Sequence, residues 1–349
     1  MRDRRAVRVA ATLAAVLAAS EAGFRLLEGS LGIDRGRLAR FREYVAGSGE
    51  TAQYEPRSHV LYARPRGLPG VNDLGFTDDD VPIEKRPGVL RVACLGSSTT
   101  EGGNPAGREG SYPHFLRQIL EQRRGPPIEV MNLGMSGWTT AESLVSYVLT
   151  VQDYAPDVVV FHEAVNDVEP RNWPGFRSDY SHYRRPWKDI RFSVAFRMAV
   201  RLSDAFAAWQ LRDADAFGLQ SVVVRPPAGP FTFAGGTLPP DTAVAFRRNV
   251  RTLADLVRLR GGRPVLVTMP YDPGAAGRLP VFRSGIEDHN RILRELAAEG
   301  GFRLVDLDAA ARADAASVRG FFIDLVHMEP EGNRWKAKLI ADAVLAPQP

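Results

Sequence analysis

Apolar residues gather in five short runs along the chain, at Leu90 to Leu95, Ile128 to Leu133, Val158 to Phe161, Val265 to Met269 and Phe302 to Leu307. Runs of this length, rich in branched aliphatics and bounded by glycine or polar turns, read as buried strands. Between them, apolar positions recur three and four residues apart, the spacing of an amphipathic helix. These stretches are Tyr112 to Arg123, Thr140 to Asp153, Asp241 to Arg260, Ile286 to Glu299 and Glu331 to Leu345. Gly261-Gly262 and Gly300-Gly301 follow two of them directly, where glycine closes a helix in the left-handed conformation. Alternation of this kind predicts an α/β fold: a doubly wound, five-stranded parallel sheet with helices on both faces.

Three stretches break the rhythm. Residues 29–87 are rich in Arg, Gly, Pro and Asp, as in Tyr62-Ala63-Arg64-Pro65-Arg66-Gly67, and predict a loop-rich extension packed on the main domain. In it, Asn72-Asp73-Leu74-Gly75-Phe76 reads as a turn that packs. Residues 168–240 hold eight prolines together with Trp173, Trp187 and Trp209. They fall between the third and fourth strands and predict a lid-like insertion on the substrate side of the sheet. The amino terminus, 1–28, opens with Arg2, Arg4 and Arg5 and continues into an Ala/Val/Leu-rich run from Val9 to Ser20 before Glu21 and Arg25. That run is shorter than the roughly 20 residues a spanning helix needs. It reads as a signal peptide or a signal anchor, which predicts export or membrane association with the catalytic part outside the cytoplasm.

Charge and cysteine change the picture little. A formal net charge of +4 is spread among interspersed acidic and basic residues, so no nucleic-acid partner is indicated. Cys94 stands alone and inside an apolar run, which makes it a small core residue.

The chemistry lies at the ends of the runs. Leu95-Gly96-Ser97-Ser98-Thr99-Thr100-Glu101-Gly102 follows the first one, so Ser98 falls at the carboxyl end of a strand, where open parallel sheets hold ligands. A serine hydroxyl needs an imidazole to take its proton and a third group to orient that ring. Asp324-Leu325-Val326-His327 offers both, three positions apart in a helical turn or tight loop. Taken singly, Ser98 is equally a helix cap and Asp324 with His327 a solvated pair.

Four blocks, in order, resemble those of the SGNH hydrolases, also called GDSL-type esterases or lipases. They are Gly96-Ser97-Ser98-Thr99-Thr100-Glu101-Gly102, Asn132-Leu133-Gly134-Met135-Ser136-Gly137-Trp138-Thr139, Ala164-Val165-Asn166-Asp167 and Asp324-Leu325-Val326-His327. The resemblance covers about residues 88–345 and implies a flavodoxin-like SGNH-hydrolase domain over that span. It implies Ser98 as nucleophile, His327 as base, Asp324 as orienting acid, and an oxyanion hole built from Ser98, Gly137 and Asn166. Gly134 is the fallback for Gly137. Oxyanion chemistry asks for such donors independently of the name, although alone Gly137 reads as a turn glycine and Asn166 as a cap. Ser97 stands where the family commonly has aspartate, and Ala164 where it commonly has glycine. Neither supplies a nucleophile, base or donor.

Competing chemistries fit less well. Thr100 breaks a Gly-x-Ser-x-Gly elbow, and the run lacks the lysine of a phosphate loop and the spacing of a dinucleotide site. His162-Glu163 has no second histidine at helical spacing and reads as a strand-end pair. His59, His114, His182 and His289 read as structural or surface residues. No metal or organic cofactor is implied. The expected function is a serine esterase acting on a small-molecule or polysaccharide acyl ester through an acyl-enzyme. Transfer of the acyl group to a sugar hydroxyl, or a catalytically silent envelope binding domain, are the alternatives.

Overall fold

The computed structural model describes residues 2–27, 35, 38, 42, 54–103, 106–125, 127–173, 175–183, 194–212 and 238–347. The sheet consists of β1 (Leu90–Gly96), β2 (Ile128–Gly134), β3 (Val158–His162), β4 (Arg263–Val267) and β5 (Arg303–Val305). Its strands are all parallel, in the order β2-β1-β3-β4-β5. The chain therefore leaves β1 toward one side and returns to β3 on the other, so the switch of winding direction lies at β1, where doubly wound sheets place ligands. Register aligns the ends: Gly96 pairs with both Gly134 and His162. The loops after β1, β2 and β3 thus leave the sheet at one level.

Strand alternation builds the core. Val92, Cys94, Val130, Val158, Val160, Val265 and Val267 share a cluster with Leu116, Leu120, Ile340 and Val344 from helices Tyr112–Arg124 and Pro330–Leu345. Each large aliphatic side chain so removed from water contributes about 1.5–3 kcal/mol. Helices Val244–Leu259 and Pro280–Gly300 pack on the sheet as well. Cys94 is fully buried within this core.

β1, β2 and β3 each run one residue past the expected end, and the other two strands depart further. β4 starts and ends two residues early, because the Arg263 amide joins the ladder edge through the Asp157 carbonyl while the Met269 amide is taken by Asn290 Oδ1. β5 stops at Val305 because the Asp306 carboxylate accepts the Ala309 amide and caps the helix Leu307–Ala313.

The described residues fall into two units, Arg57–Arg185 with Phe231–Pro349, and Met1–Pro56 with Pro186–Pro230. This division differs from the expected one. The first part of the 168–240 insertion belongs to the sheet unit, where the Tyr180 hydroxyl donates to Asp167 at 2.7 Å and the Tyr183 hydroxyl to Glu169 at 2.5 Å. Its middle forms helices Val194–Leu202 and Asp204–Arg212 in the other unit, with the amino-terminal helix Arg2–Leu27. Most of 29–53, and 184–193 and 213–237 with Trp187, lie outside the described residues. From Arg57 onward the extension packs in the sheet unit. Fully buried Arg91 donates to the carbonyls of Pro82 and Ile83, and Asp78 accepts the Asn132 amide. Asn72 closes the expected turn by accepting the Leu74 and Phe76 amides, and Phe76 meets Trp138 edge-on. Among the described residues, no helix is long and apolar enough to cross a membrane.

Candidate active site

β1 delivers the chain directly into the short helix Ser98–Glu101. Ser97, Thr99 and Thr100 turn inward and are buried, and Ser98 alone of this run keeps a half-exposed side chain. Burial, which the residue order does not display, separates the two adjacent serines.

The Asp324 block is a tight loop closed by a bridge between Phe322 and Met328, with the Ile323 amide donating to the His327 carbonyl at 2.9 Å. Asp324 Oδ1 accepts the Val326 and His327 amides at 3.0 and 2.9 Å, so the carboxylate is locked by its own loop. Its Oδ2 lies 2.7 Å from His327 Nδ1, and His327 Nε2 lies 2.8 Å from Ser98 Oγ. A carboxylate only accepts, which places the ring proton on Nδ1 and leaves Nε2 to accept the Ser98 hydroxyl. Partial burial raises the Asp324 pKa, but the hydrogen bonds and charge of His327 outweigh it and hold the group down to about 2. Gly103 explains how the ring fits: a Cβ there would lie 2.6 Å from His327 Cδ2.

The other two blocks carry donors on the loops after β2 and β3. Gly137 sits at φ +78, a left-handed conformation that favours glycine, and a Cβ would meet the Tyr62 hydroxyl at 2.4 Å. Among the described residues, the Ser98 and Gly137 amides have no acceptor. The Gly134 amide instead donates to Asn132 Oδ1 at 3.1 Å, so the fallback donor is already engaged. Asn166 Nδ2 gives one hydrogen to the Trp138 carbonyl at 2.8 Å and keeps a second.

Buried carboxylates that the sequence reading left without a role tie these loops together. Glu101 Oε2 accepts the Ser136 amide at 2.9 Å and the Ser136 hydroxyl, while Oε1 accepts Arg64 at 2.8 Å and Thr77 at 3.1 Å. It joins the helix of Ser98 to the residue before Gly137. Asp167 accepts the Thr140 amide and hydroxyl, joining the Asn166 loop to the helix that follows Gly137. Glu163 Oε1 accepts the Asn166 amide at 2.9 Å. Full burial, and then the nearby Asp167 charge, push Glu163 up to about 8. His289 is structural, as expected: Nδ1 donates to the Ala164 carbonyl at 2.6 Å and Nε2 accepts from Arg171 at 2.8 Å. Burial and the Arg171 charge lower its pKa to about 3. The signal that could have found the carboxylates is their position, since each lies within three residues of Ser98 or Asn166.

Comparison with known proteins follows the same lines. Similar solved structures include an acetylxylan esterase from Geobacillus stearothermophilus, 17% identical with TM-score 0.48, the match covering 74% of this chain and 95% of that one. Another is the lipase/acylhydrolase from Enterococcus faecalis, 17% identical with TM-score 0.47, covering 73% and 94%. No curated protein matches the sequence significantly. The sequence profile of the GDSL-like Lipase/Acylhydrolase family matches residues 94–335, from within β1 to within the last helix and across all four blocks. The chain belongs to this family and is a hydrolase of ester bonds.

Proposed function

We propose that the protein is a serine esterase that cleaves carboxylic acyl esters through an acyl-enzyme on Ser98. The observation that carries this reading is the unbroken chain from Ser98 Oγ through His327 to Asp324, at 2.8 and 2.7 Å. His327 Nε2 takes the hydroxyl proton as Oγ attacks the carbonyl carbon, and Asp324 holds the ring and the imidazolium that forms. The negative charge that develops on the carbonyl oxygen is met by the Ser98 and Gly137 amides and the second hydrogen of Asn166 Nδ2. His327 then returns the proton to the departing alcohol. Water attacks the acyl-enzyme by the reverse route, releases the acid and restores Ser98.

Hydrolysis of a short-chain aryl ester by the purified chain tests this. Ser98→Ala is expected to abolish turnover, while Ser97→Ala, at a buried position outside the proton path, retains it. Unchanged turnover in Ser98→Ala sinks the assignment. Product analysis with a sugar hydroxyl present distinguishes release of free acid from acyl transfer.

A further inference from the structure

The unit formed by Met1–Pro56 and Pro186–Pro230 concentrates two properties. The whole formal surplus of +4 falls in these two segments, and basic and acidic residues balance in the remainder. Its described surface also exposes six large apolar side chains: Val16, Leu26 and Leu27 on helix Arg2–Leu27, and Met198, Leu202 and Trp209 on the inserted helices. Met198 and Leu202 stand four apart and so share one helix face, with Leu202 74% exposed while Val200 is buried. Isolated surface leucines are ordinary, but several exposed large apolar groups in one basic unit point to an interaction site.

The amino-terminal helix is built into this unit. Glu21 accepts the Ser203 hydroxyl at 3.0 Å and the Asp204 and Ala205 amides at 3.0 and 3.2 Å, and so caps the helix Asp204–Arg212 from outside its own sequence. Arg25 pairs with Glu21, and Arg42 with Asp204. From Val9 to Ser20 that helix carries no charge. At about 1.5 Å per residue this run reaches little more than half of the roughly 30 Å hydrocarbon layer. A segment apolar all round, too short to span and preceded by arginines, suits the boundary of a bilayer whose headgroups are negative.

We propose that this unit docks on an anionic phospholipid surface, and that the inserted helices Val194–Leu202 and Asp204–Arg212 share the contact with the amino-terminal helix. Glu21 keeps the two parts together, so the helix works as a retained part of the docking unit. Met198, Leu202 and Trp209 enter the headgroup boundary.

Flotation of the full chain with vesicles tests the proposal. Phosphatidylcholine vesicles containing phosphatidylglycerol are expected to carry the protein upward, and pure phosphatidylcholine vesicles much less. The triple variant M198S/L202S/W209S is expected to lose about tenfold or more in partitioning, because three large apolar groups no longer enter the boundary. Its hydrolysis of a soluble short-chain ester is unchanged, which reports an intact fold. Should the triple variant fold poorly, Leu202→Ser alone, at the most exposed of the three inserted positions, is expected to show a several-fold loss. Failure of the full chain to float, equal flotation on both vesicle types, or undiminished flotation of the variants overturns the proposal. So does a dimer that the triple variant abolishes without any vesicle binding, or a protein recovered from its producing cells that begins beyond Leu27.

Discussion

Glu163→Gln tests the electrostatics beneath the candidate oxyanion donors. Glu163 is fully buried, one of its oxygens accepts the Asn166 amide, and its pKa stands at about 8 against 4.5 when exposed. Between those values the folded protein holds a proton that the unfolded chain has released. Unfolding then becomes easier as pH rises, by about 1.4 kcal/mol per pH unit. Over the 4.5-to-8 interval, this amounts to about 4–5 kcal/mol. Glutamine retains an acceptor for Asn166 and carries no proton to lose, so the variant lacks this slope. Asp167, raised chiefly by burial, acts in the same direction, and Lys336, lowered by burial to about 7, acts in the opposite one. Both are present in each protein and cancel in the comparison. Urea unfolding of the two proteins from pH 5 to pH 9 is the assay. The stability of Glu163→Gln relative to the parent is expected to rise by about 4 kcal/mol across that range, since part of the interval lies below pH 5. Parallel curves would refute the reasoning, because they require Glu163 to be ionised in the folded state at neutral pH.

Three further outcomes follow from the loop geometry. Asn166→Ala removes one donor and is expected to lower kcat roughly 10²-fold with little change in KM, measured on a short-chain aryl ester. Gly137→Ala forces a side chain into φ +78 and against the Tyr62 hydroxyl. Its kcat is expected to fall about tenfold or more, by distortion of one oxyanion donor. Adding Tyr62→Phe is expected to recover part of that loss, and no recovery would argue against the contact as the cause. Glu101→Gln leaves either Arg64 or Ser136 facing an amide that cannot accept; a thermal melt is expected to show a loss of about 1.5–3 kcal/mol, as for a hydrogen bond to a charged group, together with reduced kcat.

Much of the architecture could be read from residue order because its causes are local. Branched aliphatic runs mark the five strands, and Gly301 ends a helix in the left-handed conformation as the glycine pair after Glu299 implies. The Asp324 loop is equally local, since one side chain caps the amides two and three residues ahead. The short helix Leu307–Ala313 carries no sequence signal of its own, because it is set by the Asp306 cap and the sheet edge and has too few turns to show a period.

Contacts across long stretches of sequence belong to the tertiary structure. Ser98 and His327 are 229 positions apart, and the parallel crossovers alone bring them to 2.8 Å. Only the folded chain shows Ser97 buried beside a half-exposed Ser98, and the Gly134 amide engaged by Asn132. The joining roles of Glu101 and Asp167 exist only where separate strand ends meet, and the pairing of the amino-terminal helix with a distant insertion through Glu21 likewise exists only in the folded chain. Periodicity records which face of an element is apolar; which partner covers that face, and which buried charge finds a donor there, depends on closing loops that span from 27 residues between Thr140 and Asp167 to 229 between Ser98 and His327.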